Sequence, residues 1–362
     1  MISINKINLI YRSTFILLFL CMSFSINIAR ATEKELVTEL EMSKSVLGAT
    51  EGKSGHDFSK GMYVIITGTG KGASTLDGGA GAAVIVDGKL LQFDTGPQTK
   101  KNLFAAGVLP EYKIDYIFIT HHHGDHTTDL ADMFAWKRDV LKPGLKIYGP
   151  NHTKDMIYGA RSFLRSHREE ELALLNKLGY PNEKWLTWEP MVEEIQVPGG
   201  VIMNDDGIKV TAVETAHAIG DDAYSFAYRV DSKHGSVVIS GDAAPDIRVV
   251  NLAKNADILL HEMTHPDPEM APDLFKSMSM RHVRLGDSLN DYKEKLPNGH
   301  STPTEVGKIA AMAKVNKLVI YHTTFGRNGS LKEEFLASVR KHYDGVVIPG
   351  KPLMIFEVGT DF

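Results

Sequence analysis

The chain has 362 residues, 43% hydrophobic and 23% charged, with a formal net charge of −5. That composition excludes a disordered or fibrous protein, and the length exceeds what a single core holds comfortably, although α/β folds reach it as one domain. An acidic balance argues against nucleic acid held by general electrostatics, which needs clustered Lys and Arg.

Residues 1–31 read as an export signal peptide. Lys6 and Arg12 make a positive start, Phe15 to Phe24 is an apolar core, and Ala29-Arg30-Ala31 is a small-x-small cleavage site before Thr32. The apolar run is too short for a permanent membrane span, so no stable membrane association is expected after cleavage. Cys21 raises a lipoprotein alternative, but Leu20 is bulky where such processing needs a small residue. Cleavage removes Lys6, Arg12 and Arg30 and no acid, which takes the formal net charge from −5 to −8. It also removes the one cysteine, so the mature chain has no disulfide and no thiolate ligand or nucleophile. A bacterial periplasm or exterior fits this pattern.

Residues 32–60 are polar, with a weak helical stretch near Glu35 to Val46, and read as an N-terminal extension or linker ahead of a domain over 61–362. Tyr63-Val64-Ile65-Ile66 is a strand, followed by a Gly-rich turn through Gly81. Ala82 to Val86 and Lys89 to Phe93, joined by Asp87-Gly88, make a hairpin with a type I′ turn. A short helix over 99–108 precedes the strand Ile114 to Ile119, another strand ends at 150, and 152–178 is a charged helix. Strands follow near 208–214, 223–230 and 236–240, then a helix at 246–254 and a strand at 257–261. A polar insertion over 265–299 separates these from a helix at 303–315, a strand at 317–321, a helix at 331–341 and a closing strand at 353–358. Two such halves predict an α/β fold, a four-layer αββα sandwich with functional residues along one edge.

The strand at 114–119 leads directly into Thr120-His121-His122-His123-Gly124-Asp125-His126. Imidazole nitrogen and carboxylate oxygen are the usual ligands of zinc and its neighbours, and His121, His123, Asp125 and His126 are dense enough to divide between two ions. Further candidates end later strands: His217, Asp242 and His322. His122, between ligands, is expected to face away. Asp94 is expected either to orient a ligand imidazole or to serve only as a turn residue.

The Thr-His-His-His-Gly-Asp-His segment resembles the signature of the metallo-β-lactamase fold superfamily over residues 62–362. Within it the chain resembles the ribonuclease Z and arylsulfatase branch, through Phe93-Asp94-Thr95-Gly96, His261-Glu262-Met263-Thr264 and His300-Ser301-Thr302. The resemblance implies one metal on His121, His123 and His217, a second on Asp125, His126 and His322, and Asp242 bridging them. Two Zn2+ per chain are expected, with Mn or Fe as alternatives.

Asp125, Glu262 and His300 are the expected catalytic residues. Thr302-Pro303-Thr304-Glu305 is a capping box with Pro at N1, which stands His300 just before a helix N-terminus. There it is expected to bind an anionic oxygen or protonate a leaving alkoxide, kept charged by the neighbouring carboxylate. His261 and His265 are expected to be structural or surface residues.

The expected activity is hydrolysis of a small-molecule anionic ester, a phosphodiester or aryl sulfate, by a metal-bound hydroxide in an exported enzyme. Lactone or thioester hydrolysis and β-lactamase activity are alternatives on the same site, and a non-catalytic metal-binding protein ranks below them. A tRNA 3′-end endonuclease ranks low as well. Residues 152–190 hold six Lys/Arg against six Asp/Glu, and export would separate the protein from tRNA. No nucleic-acid partner is therefore expected, a homodimer is allowed, and 152–190 and 265–299 are read as lids over a small-molecule pocket.

Overall fold

In the computed structural model the described residues are 55–71, 78–179, 189–217, 224–270, 299–323 and 332–359. The expected signal peptide, most of the 32–60 extension and most of the 265–299 insertion lie outside them.

The first half builds a seven-stranded sheet from β1 (Met62–Thr69), β2 (Ala80–Val86), β3 (Lys89–Phe93), β4 (Ile114–Phe118), β5 (Leu141–Gly149) and β6 (Met191–Glu194). It is joined by the last strand, β14 (Ile355–Glu357), which pairs antiparallel with β1 in the order β14-β1-β2-β3-β4-β5-β6. The second half builds the other sheet from β7 (Gly199–Asp205), β8 (Ile208–Thr215), β9 (Ser225–Ser232), β10 (Gly235–Ile239), β11 (Ile258–Met263), β12 (Lys317–Thr323) and β13 (Val346–Pro349). These seven lie in the order β13-β12-β11-β10-β9-β8-β7. The hairpin between β2 and β3 turns on Asp87 at φ 46° and Gly88 at φ 82°, the two positive angles that a type I′ turn requires.

Alternation along the strands sorts the apolar side chains into three cores. Val64, Ile66, Phe93, Phe118, Phe226, Tyr228 and Tyr321 fill the space between the sheets. Tyr63, Ile65, Ile117 and Ile147 face outward from the first sheet, against α1 (Thr99–Ala105), α3 (Asp129–Ala135) and α5 (Thr153–Phe163). Val238, Leu259 and Ile320 face outward from the second, against α7 (Ile247–Leu252), α8 (Pro303–Ala313) and α9 (Lys332–Arg340). With both faces covered, β1 and β2 are buried along their whole length. This is the expected αββα sandwich. A one-turn α2 (Gly124–Thr127), a short α4 (Lys137–Val140) and α6 (Arg165–Lys177) complete the helices among the described residues. The expected helix over 152–178 is two helices, α5 and α6, separated at Leu164, where ψ is 9°. Among the described residues no helix is long and apolar enough to cross a membrane.

Candidate metal centre

The strand ends of the two sheets meet at one edge. His121 and His123 follow β4, with Asp125 and His126 on α2; His217 follows β8, Asp242 follows β10, and His322 lies in β12. Local backbone devices aim several of them. Gly241 sits at φ 56°, and a Cβ there would come within 2.7 Å of Thr120 Cβ, so glycine is what lets the Asp242 turn lie against the β4 end. In β12 the register with β11 shifts so that Tyr321 faces Glu262 and Thr323 faces Met263. His322 is the extra residue, at φ 48°, and such a bulge re-aims a side chain that regular pleating would send elsewhere. A Cβ on Gly96 or Gly79 would collide with the Asp125 carbonyl, so both turns depend on glycine to approach α2.

The ring tautomers follow from what lies behind each imidazole. Asp94 accepts from Thr120 N–H at 2.7 Å, from Thr120 O–H at 2.8 Å and from His126 Nδ1–H at 2.8 Å. With its proton committed to Asp94, Thr120 Oγ1 accepts from His121 Nδ1–H at 3.0 Å. His217 Nδ1–H donates to the Gly299 carbonyl at 2.8 Å, and His322 Nδ1–H to the Gly70 carbonyl at 2.8 Å. Each of these rings therefore turns a bare Nε2 lone pair inward. His121 Nε2 lies 2.9 Å from His123 Nδ1, and His126 Nε2 lies 3.3 Å from His322 Nε2. Asp242 Oδ1 is buried without a hydrogen bond, 3.0 Å from His322 Nε2, while its Oδ2 is 3.5 Å from His217 Nε2.

Converging lone pairs repel unless a cation lies among them. The ligand atoms form two groups, each within 4.8 Å: His121, His123, His217 and Asp242, and then Asp125, His126 and His322. This donor set fits a pair of first-row metal ions, with Asp242 presenting one oxygen to each group. His123 is the exposed ligand and marks the mouth.

The electrostatics agree. Burial and the neighbouring imidazolium charge of His126 hold His121 well below the usual imidazole range, and burial lowers His217. Burial also acts downward on His126, but the carboxylates of Asp242 and Asp94 outweigh it and raise that ring well above its ordinary value. Burial acts upward on Asp242, and His322, His126 and His217 overcome it to keep the carboxyl far below the usual range. Without metal, the pocket thus holds a proton on His126 where an ion would sit. Metal and proton compete there, so affinity rises with pH until that proton is gone. Asp94→Asn should lower metal affinity about 10- to 100-fold by loosening His126. It should also let the affinity plateau begin at lower pH, because one of the charges that raise His126 is lost. Metal titrations across pH measure both, and an unchanged affinity would remove Asp94 from the support of the centre.

The other expected residues fall at or near this edge. Glu262, fully buried, accepts from Ser301 N–H at 2.9 Å and from Thr264 N–H and O–H at 3.0 and 2.8 Å. Its Oε1 is 3.2 Å from His300 Nδ1, which is also 3.7 Å from Asp242 Oδ2. The capping box is formed, with Pro303 at N1 of α8. His300 is nevertheless not held charged: burial drives its imidazole well below the ordinary value. Glu262 is already occupied by four N–H and O–H donors, Ala243 N–H at 3.4 Å among them, and takes the Nδ1–H of a neutral ring. His122 turns to Thr153 Oγ1 at 3.0 Å, away from the ligands. His261 is buried with Nδ1–H on the Glu262 carbonyl, and His265 is buried with its ring 5.0 Å from that of His300. Thr120, Gly70 and Gly299 were not among the expected site residues. Thr120 adjoins His121 and Gly299 adjoins His300 in sequence, which could have marked them; nothing in the sequence marks Gly70, 252 residues from the His322 it supports.

A family model described as a β-lactamase superfamily domain matches residues 91–323. The chain belongs to the metallo-β-lactamase superfamily. Its curated relatives include several ribonuclease Z proteins. Ribonuclease Z of Brevibacillus brevis is 27% identical over 314 residues, covering 72% of this chain and 85% of that protein. Ribonuclease Z of Pyrococcus abyssi is 26% identical over 315 residues, covering 76% and 92%. Human tRNase Z, short form, shares the fold with a TM-score of 0.57 at 23% identity, covering 82% of this chain and 99% of that one. A metallo-β-lactamase fold protein of Bacillus subtilis also has a TM-score of 0.57, at 19% identity with the same coverage.

The protein is a metallo-hydrolase of this superfamily, whose fold typically binds a dinuclear metal. Two expectations are overturned by the relatives, which are ribonucleases: a small-molecule anionic ester as substrate, and the exclusion of nucleic acid. The physical error was to weigh the net charge of the whole chain. Divalent ions reverse the sign of the field at the site itself, whatever the rest of the surface carries.

Proposed function

We propose that this protein is a two-metal ribonuclease of the ribonuclease Z type, hydrolysing a phosphodiester bond in the 3′ region of a tRNA-like RNA. The observation that carries the reading is His300, held by Glu262 within 3.7 Å of the bridging Asp242. A ribose oxygen is a poor leaving group and needs a proton as it departs, which is the service a histidine in that place can give. The seven ligands and the ribonuclease relatives support the same reading.

Zinc suits the imidazole and carboxylate donors best in this proposal, with Mn and Fe as alternatives. When bound, such an ion pair activates water and neutralises charge that develops on the phosphoryl oxygens. The chain supplies the rest. Asp94, Thr120, Gly70 and Gly299 fix the tautomers, so that bare nitrogens face the ions. Glu262 fixes the His300 proton on Nδ1 and leaves Nε2 as the exchanging nitrogen. The attacking water must lose one proton and the leaving oxygen must gain one. A neutral His300 can hold that proton between the two events, which a permanently charged ring could not.

If residues 1–31 act as the export leader expected of them, the RNA is one met outside the cytoplasm. The test is cleavage of a 3′-extended tRNA precursor by protein shown to hold two metal ions, with an unstructured RNA of equal length as comparison. A single cut near the 3′ end of the precursor is expected. Absence of any cut with Zn, Mn and Fe in turn would sink the ribonuclease reading.

A further inference from the structure

The loop leaving β1 is fixed to the metal centre at both of its described ends. At its start the Gly70 carbonyl accepts His322 Nδ1–H at 2.8 Å. At its far end Gly79 N–H donates to the Pro97 carbonyl at 2.8 Å, and the Gly79 backbone lies hard against the Asp125 carbonyl. His322 and Asp125 belong to the same ligand group, so both described ends border the Asp125–His126–His322 side.

Lys71 is the next residue after Gly70, its Cα about 3.8 Å further along the chain. The backbone at this point is therefore set by a metal ligand's own support, and a four-carbon stem carries the ammonium from there. Lys71 is half-buried, and among the described residues no carboxylate pairs with it. His300 lies across the site, its ring 4.7 Å from that of His217 in the other ligand group. A scissile group held by both ions and within reach of His300 would lie between the two ligand groups.

We propose that Lys71 is a substrate-binding residue that holds a non-bridging phosphate oxygen at the mouth of the metal centre. The proposal rests on the phosphodiester reading above. A phosphodiester keeps its negative charge on two non-bridging oxygens, and lysine is a common point-charge partner for such groups.

Inorganic phosphate is the probe, titrated calorimetrically into metal-loaded full-length protein, Lys71→Met and Lys71→Arg. Lys71→Met should weaken phosphate binding about 10- to 100-fold, the range of one charged hydrogen bond, with metal content unchanged. Lys71→Arg, which keeps the charge, should recover most of the affinity. In RNA cleavage the loss should fall on KM more than on kcat. The proposal is overturned if Lys71→Met binds phosphate as the wild type does, if the wild type binds none, or if Lys71→Met loses metal. A phosphate difference in protein that cuts no RNA would sink the ribonuclease reading and leave Lys71 as an anion-binding residue.

Discussion

Asp242→Ala should strip both metal ions, from about two per chain toward none, and abolish turnover. One oxygen of this carboxylate faces each ligand group, so no single ion can be spared. Oδ1 is 3.0 Å from His322 Nε2, and Oδ2 is 3.5 Å from His217 Nε2. Losing the charge stabilisation of an ion pair, several kcal/mol, corresponds to at least about 10³ in rate. Elemental analysis after gel filtration reads the ions, and far-UV circular dichroism shows whether the sandwich is intact. Two ions retained with full turnover would refute a bridging role.

His300→Ala should do the opposite to the metals and nearly as much to the rate. Both ions should stay, because His300 completes neither ligand group. Turnover should fall by roughly 10²–10⁴ on RNA, the usual worth of a positioned proton donor. The loss should shrink on bis-p-nitrophenyl phosphate, used here only as a probe whose leaving group departs without a proton. Equal losses on the two substrates would mean that His300 binds rather than transfers a proton, and loss of metal would make it a ligand. Glu262→Gln is the poorer probe. The carboxylate takes donors on both oxygens, from Ser301 N–H on one and Thr264 N–H on the other, so an amide NH2 must face a donor whichever way it turns. That leaves a buried clash of donors costing about 1–3 kcal/mol, which mixes folding with catalysis.

Much of the sandwich is legible in the sequence, and the strands that are not share one property. β6, β7 and β13 were absent from the expected elements, and each lies at the end of a sheet. An edge strand covers little of the core, and Met191, Val201 and Val346 are all exposed; the apolar runs of β7 and β13 are only three residues long, too short to separate from an apolar stretch of loop. Central strands such as β1 and β10 are buried on both faces and read as unbroken apolar runs. The residues of the two candidate ligand groups were picked out for a related reason, because a polar residue closing an apolar run stands out. What the sequence does not carry is the state of those groups. The neutrality of His300 depends on how deeply α8 and β11 enclose it. The turn of His322 toward the centre depends on a bulge that no residue preference announces.

The two ligand groups draw on different halves of the chain. His121, His123, Asp125 and His126 come from the first sheet's side, and His217, Asp242 and His322 from the second's, with the groups sorted across that divide. Neither half can enclose an ion alone. Metals bound there would therefore act as a clasp on the open edge of the sandwich, and whatever free energy they release on binding would add to the stability of the folded state over the unfolded one. Metal supply then governs how long the protein lasts as well as whether it works, and a chain starved of ions should come apart first at the same edge where its substrate would enter.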